Sequence, residues 1–158
     1  MKWAALILWV ITALGGFGLL GIWLQRGGQR QADRPGQHIR PPLIFGHMAI
    51  AATGLVLWII YVASDSDALA WIAFVLLLVV ASLGFAMFAI WLQRRQRAGA
   101  AGAAPAGAGT AAPVEAASPV EADVPAEQHF PLPIVGAHGI LAATTLVLVL
   151  LTALGVGD

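Results

Sequence analysis

Four histidines carry most of the chemistry available to this chain of 158 residues. Two of them lie inside long apolar runs and the other two lie nine residues earlier, namely His47 and His138, preceded by His38 and His129. The surrounding stretches, residues 37–57 and 128–148, are copies at a constant offset of 91 residues, matching at Gln, both His, Pro, Ala-Ala-Thr and Leu-Val-Leu. An ionisable side chain within a membrane-length apolar segment is a candidate functional residue.

Two neutral imidazoles at one depth of a helical bundle suit axial ligation of a haem iron. Pro42 and Pro133 each lie five residues before a central histidine. Because proline suits the first turn of a helix, both prolines predict helix starts. Each histidine then lies about 7–8 Å along its helix from that start. We therefore expect His47 and His138 to be the metal ligands of one haem b.

Small residues near the histidines favour a flat macrocycle between the helices. Side chains that share a helix face with each histidine, or that reach the same depth on the first helix, are predicted to line the cofactor: Ala51, Gly54, Ala142 and Gly21. Small residues also serve plain packing of membrane helices. For the second ring nitrogen of each histidine, the expected partner is a carbonyl of the preceding turn, at Leu43 or Ile134, or else a side chain.

Haem propionates are anionic and need donors at the rim of the site. Arg40, His38 and His129 lie close enough in sequence to serve as cofactor-binding residues there. The interfacial histidines also fit contacts with lipid headgroups or a second haem at the rim. Basic residues at helix ends can equally be topology signals alone.

The composition defines the class of protein. The chain is 59% hydrophobic and 10% charged, with zero net charge and no cysteine. This composition predicts an integral membrane protein in contact with the lipid bilayer. The zero net charge implies no nucleic-acid partner. Without cysteine there is no disulfide, thiolate metal site or covalently attached c-type haem. Four apolar runs are long enough to span a bilayer: 4–24, 43–63, 69–92 and 132–154.

A second repeat shows how the runs are organised. Residues 3–26 align with 71–94 at an offset of 68, and both copies end in IWLQR and contain Gly-Phe. We therefore expect an all-α four-transmembrane-helix bundle of two tandem helical hairpins, related by a pseudo-twofold axis along the membrane normal. Its parts are the first hairpin, 1–63; helix 3 with a short outer loop, 64–94; a linker, 95–128; and helix 4, 129–158.

Loop charges predict the orientation. The first and third connections are rich in arginine, whereas the second reads SDSD and the chain ends in Asp158. Because basic loops favour the cytoplasm, both termini are expected outside. The linker is rich in Ala, Gly and Pro, lacks aromatic residues and is predicted to be flexible and cytoplasmic. A segment that orders on a partner is the alternative reading.

The segments PPLIFGHMAIAATGLVLWIIY and HFPLPIVGAHGILAATTLVLVLLTALG resemble uncharacterised four-span membrane proteins of high-GC, actinobacterial-type bacteria. That resemblance covers both hairpins, excludes the linker, and implies a multi-pass protein of the bacterial plasma membrane. In architecture the chain also looks like small bis-His membrane b-type cytochromes, a resemblance that extends only to His47 and His138.

The leading hypothesis is a haem-binding electron carrier or membrane anchor between quinone and a redox partner. Alternatives are a cofactor-free accessory subunit of a larger membrane complex, such as a respiratory one, and a small transporter or quinone-site protein. A histidine that locks two helices together by a hydrogen bond is a further alternative. A proton relay also fits paired histidines, and a chlorophyll-type ring is another option. A bare metal ion has too few ligands in two histidines. An electron-transfer or accessory role fits better than a stand-alone enzyme.

Overall fold

The computed structural model describes residues 1–31, 39–102 and 124–156, and the described chain is all-helical. Its helices are Lys2–Gln25 (α1), Pro41–Ser64 (α2), Asp67–Gly102 (α3) and Leu132–Ala153 (α4), with a short 3₁₀ helix over Ala126–His129. All four α-helices are long and apolar enough to cross a membrane. The predicted all-α class and the four apolar runs are confirmed to that extent.

Proline begins both histidine-bearing helices. Pro41 and Pro42 occupy the first turn of α2 after an extended Arg40, and Pro133 occupies the first turn of α4 after an extended Pro131. Proline is tolerated there because the first N–H groups of a helix have no partner within it. The two helices therefore start at matching points of the sequence repeat.

The four α-helices form a ring in which each helix contacts two others. Both α1 and α3 contact α2 and α4, whereas the pairs α1 with α3 and α2 with α4 make no close backbone contact within the described helices. The most extensive packing joins α2 to α3 and α1 to α4. The helices α2 and α4 therefore lie diagonally opposite one another, so side chains from both can meet at the centre.

Aromatic residues fill the core near the start of α1. The Trp58 ring lies 6.4 Å from that of Trp9 and 4.7 Å from that of Tyr61, measured between ring centroids. An ion pair between Lys2 and Asp65 joins the start of α1 to the turn between α2 and α3. Asp65 ends α2 in the left-handed conformation, which makes that turn tight. These contacts bring the N-terminus and the α2–α3 turn to one end of the bundle.

The outer surface of the bundle is apolar. Large side chains such as Phe17, Phe85 and Ile140 are more than half exposed, at 57%, 72% and 70%. A helix in water normally exposes a polar face, whereas a membrane helix exposes apolar side chains. These helices therefore favour contact with a lipid bilayer.

The structure orders both ends of the predicted 95–128 linker. The helix α3 continues past Arg94 to Gly102, and the 3₁₀ helix before α4 contains the fully buried Glu127. Continuation of α3 fits its alanine content, because alanine has the highest helix propensity. Residues 103–123, which hold most of the linker, lie outside the described residues.

Candidate functional site

The structure brings His47 and His138 together across the centre of the bundle. Each is the seventh residue of its helix, α2 or α4. Their ring centroids are 6.5 Å apart and their planes meet at 54°. The diagonal placement of α2 and α4 lets the two rings approach although the helix backbones do not.

Each imidazole is held by a backbone carbonyl of a neighbouring helix. His47 Nδ1 lies 3.1 Å from the oxygen of Val80 on α3, and His138 Nδ1 lies 3.0 Å from the oxygen of Thr12 on α1. A carbonyl oxygen only accepts hydrogen bonds, so each Nδ1 carries the proton and donates it. In the neutral ring the lone pair then lies on Nε2, the nitrogen free to bind a metal.

These acceptors differ from those expected from sequence. The carbonyls of the preceding turn, at Leu43 and Ile134, are not the partners of either ring. The rings instead reach the neighbouring helix, where a carbonyl engaged in the helix ladder still has a second lone pair. Val80 and Thr12 are themselves 68 residues apart, which is the offset of the α1 and α3 repeat.

Two glycines that the sequence does not single out as site residues make room for the rings. A Cβ added at Gly16 would lie 3.1 Å from Cε1 of His138, and one at Gly84 would lie 3.2 Å from Cε1 of His47. Each glycine is four residues after a carbonyl acceptor, and therefore on the same helix face. The signal in the sequence is the Gly-Phe pair that occurs in both copies.

The small residues predicted to line a macrocycle differ from one another in burial and in what they contact. Gly54 is buried, and a Cβ there would lie 3.1 Å from the Trp9 ring, so the indole takes the space assigned to the cofactor. Ala51 packs against the aromatic core cluster. Ala142 is half-buried, and Gly21 is half-buried with nothing within 4 Å of an added Cβ.

Two of the predicted rim residues, Arg40 and His129, lie just before the helices α2 and α4. Arg40 is exposed immediately before α2. His129 is half-buried, and its Nδ1 is buried without a hydrogen-bond partner in the described part of the chain. His38 lies outside the described residues. Near His129 lies Glu127, a buried carboxylate that pairs with Arg94 at 2.7 Å. The sequence prediction missed it because it placed Glu127 in the linker 95–128.

The two histidine rings, each with one nitrogen not bonded to a carbonyl, define what this site can bind. Across residues 1–31, 39–102 and 124–156, no three or more His, Cys, Asp or Glu side chains are grouped to hold a metal ion. A bare ion at the histidine pair would therefore have only two protein ligands, which is too few. A macrocycle that supplies four in-plane nitrogens needs only two axial ligands, which is the number present.

Comparison with protein-family models, with curated proteins and with solved structures finds no match to this chain.

Proposed function

We propose that this chain is a multi-pass membrane protein that binds one haem b between His47 and His138 and carries electrons. The observation that carries the proposal is the pair of imidazoles, 6.5 Å apart between centroids, each with Nδ1 bonded to a backbone carbonyl. These contacts occupy both Nδ1 atoms, so Nε2 is the nitrogen of each ring that would bind iron.

The separation of the rings supports ligation of one iron. A metal–imidazole bond is about 2.0 Å long and a ring centroid lies about 1.1 Å behind its nitrogen, so two opposed axial imidazoles have centroids about 6 Å apart. The observed 6.5 Å matches this separation closely.

Axial ligation from both faces favours electron transfer over other haem chemistry. The bound iron would supply a one-electron couple, and with both axial positions taken it would have no open position for oxygen or a substrate. The hydrogen bond from each Nδ1–H to a carbonyl would orient the ring and raise the basicity of its Nε2. The residues of this chain would therefore set ligand orientation and exclude competing ligands.

Matched contacts support two hairpins related by a pseudo-twofold axis along the membrane normal. The bonds His47 to Val80 and His138 to Thr12 correspond under the two sequence offsets, 91 for the histidines and 68 for the acceptors. The glycines against the two rings correspond under the same offset of 68. The repeat would thus build one shared site rather than two separate ones.

The loop charges and the rim residues indicate how the protein would lie in the membrane and meet its partners. The basic connections would lie in the cytoplasm of a bacterial cell and both termini outside. At the rim, Arg40, His38 and His129 would contact the propionates. The buried Nδ1 of His129 supports this role, because it has no hydrogen-bond partner among the described residues. Electron exchange would take place with quinone and with a redox protein or a larger membrane complex.

The direct test is a reduced-minus-oxidised visible spectrum of the full chain, expressed with ample haem and purified in detergent. We expect sharp b-type bands in the parent and their loss in His47→Ala and in His138→Ala. Thr53→Ala and Thr144→Ala are matched controls, because these threonines are exposed on the same two helices and bond within them. A colourless parent protein would overturn the proposal and favour a cofactor-free accessory subunit.

Orientation is tested separately with single cysteines, since the chain contains none. Ser66→Cys, in the α2–α3 turn, is expected to react with an impermeant thiol reagent added to intact spheroplasts. Gln93→Cys, an exposed position directly after the apolar run 69–92 of α3, is expected to react only after the cells are opened. The reverse pattern would contradict the assigned orientation.

A further inference from the structure

Glu127 is a buried carboxylate in the 3₁₀ helix that precedes α4. Its side chain is fully buried, and its Oε1 accepts hydrogen bonds from Arg94 Nη1 at 2.7 Å and from the backbone N–H of Ile39 at 3.0 Å. Its backbone oxygen accepts a hydrogen bond from Trp91 Nε1 at 3.0 Å. Burying a carboxylate is costly unless it is paired, and here Oε1 is paired while Oε2 is buried with no hydrogen-bond partner among the described residues.

The contacts of Glu127 join three helices at one point. Arg94 and Trp91 lie three residues apart on α3, and they hold both the side chain and the backbone of Glu127. Ile39 lies two residues before the start of α2, and Glu127 lies five residues before the start of α4. The bond from Ile39 to Glu127 therefore links the lead-in of one histidine helix to the lead-in of the other.

This link matters because the two histidine helices do not pack on each other. No close backbone contact joins α2 to α4 within the described helices. Their separation at the histidine end is therefore set by the helices between them, α1 and α3, and by the bond from Ile39 to the Glu127 carboxylate. The same helix α3 also carries the Val80 carbonyl that accepts from His47.

We propose that Glu127 is a positioning residue that fixes the spacing of α2 and α4, and hence the separation of His47 from His138. The consequence for haem ligation rests on the proposed function, whereas the spacing itself does not. Hydrogen bonds to a charged acceptor are about twice as strong as neutral ones. A glutamine at this position would weaken both bonds, and an alanine would remove them.

The spacing is measured by double electron–electron resonance between spin labels on the full chain in detergent without added haem. Ala49→Cys and Ile140→Cys suit labelling, since both positions are exposed, two residues after the respective histidines. We expect one narrow distance distribution in the parent. It should shift and broaden in Glu127→Ala, with Glu127→Gln between the two.

Asp65→Asn is the matched control, because it removes an acidic ion-pair partner at the opposite end of the bundle. Its distance distribution is expected to equal that of the parent. A Glu127→Ala distribution that also equals the parent would overturn the proposal. Should the alanine variant fail to fold, a Glu127→Gln distribution identical to that of the parent would overturn it equally.

A haem readout separates this proposal from the proposed function. In haem-loaded protein, Glu127→Ala is expected to raise the high-spin fraction of the ferric spectrum, as one axial imidazole moves out of reach, and Glu127→Gln to raise it less. Loss of the proposed function would appear as a parent chain that takes up no haem, and the spin-label distances would still decide the role of Glu127. If the parent binds haem but the spin-label distances in Glu127→Ala equal those in the parent, only the role of Glu127 is rejected.

Discussion

Gly16→Ala tests whether the close approach of helix α1 to the His138 ring matters for binding. The added Cβ would lie 3.1 Å from Cε1 of His138. Carbon–carbon contacts are most favourable at about 3.5–4.0 Å, so the ring has to move back by roughly half an ångström. Since its Nδ1 is held by the Thr12 carbonyl, that movement displaces Nε2 from the centre of the site.

The size of the effect follows from the cost of overpacking. Forcing an extra methyl group into a packed site costs about 1–3 kcal/mol. Alanine returns up to about 1 kcal/mol of helix propensity relative to glycine. Gly18→Ala carries the same propensity gain with nothing within 4 Å of the new Cβ, so the difference between the two variants isolates the contact with the ring.

The assay is titration of the purified, haem-free chain with haem, followed by absorbance. Gly16→Ala is expected to bind haem about 5- to 150-fold more weakly than Gly18→Ala, since every 1.4 kcal/mol is tenfold. Gly84→Ala should behave like Gly16→Ala, because its Cβ would lie 3.2 Å from Cε1 of His47. Gly15→Ala should have a small effect, since its nearest contact is an ordinary 3.6 Å. Equal haem affinity in Gly16→Ala and Gly18→Ala would show that the close approach of α1 to the His138 ring does not affect haem binding.

Three further substitutions test the packing around the site by thermal or denaturant unfolding. Gly28→Ala should strongly destabilise the fold, because its Cβ would overlap the buried Trp23 ring, and unchanged stability would contradict the close approach of Gly28 to that ring. Arg94→Met should cost about 3–5 kcal/mol, since it leaves the Glu127 carboxylate buried without its cation; a loss below 1 kcal/mol would contradict the burial of that pair. Asp65→Asn should cost about 0–1 kcal/mol, as expected for an exposed ion pair, and a larger loss would contradict its exposure.

The elements that local sequence controls are the ones that could be predicted. Four apolar runs predict four long helices, and Pro42 and Pro133 predict where two of them begin. The repeat predicts that His47 and His138 occupy like positions, and the structure places their rings 6.5 Å apart. These features follow from composition, proline geometry and a fixed repeat offset, all of which can be read directly from the sequence.

Features that depend on how helices rotate against one another could not be predicted. Whether a histidine bonds to its own preceding turn or to Val80 depends on the facing of α2 toward α3, which no local pattern records. The space beside Gly54 is filled by Trp9 for the same reason. Glu127 bonds to Ile39, 88 residues away, and a carboxylate within an Ala- and Pro-rich stretch carries no sign of burial.

Electron paramagnetic resonance of the ferric protein tests whether both histidines bind one iron. We expect one iron per chain with a low-spin signal of the bis-imidazole type. We also expect His47→Ala and His138→Ala each to convert the signal to high spin or to abolish haem binding. A haem-loaded parent that is high-spin, or a low-spin signal that survives either substitution, would contradict the shared site.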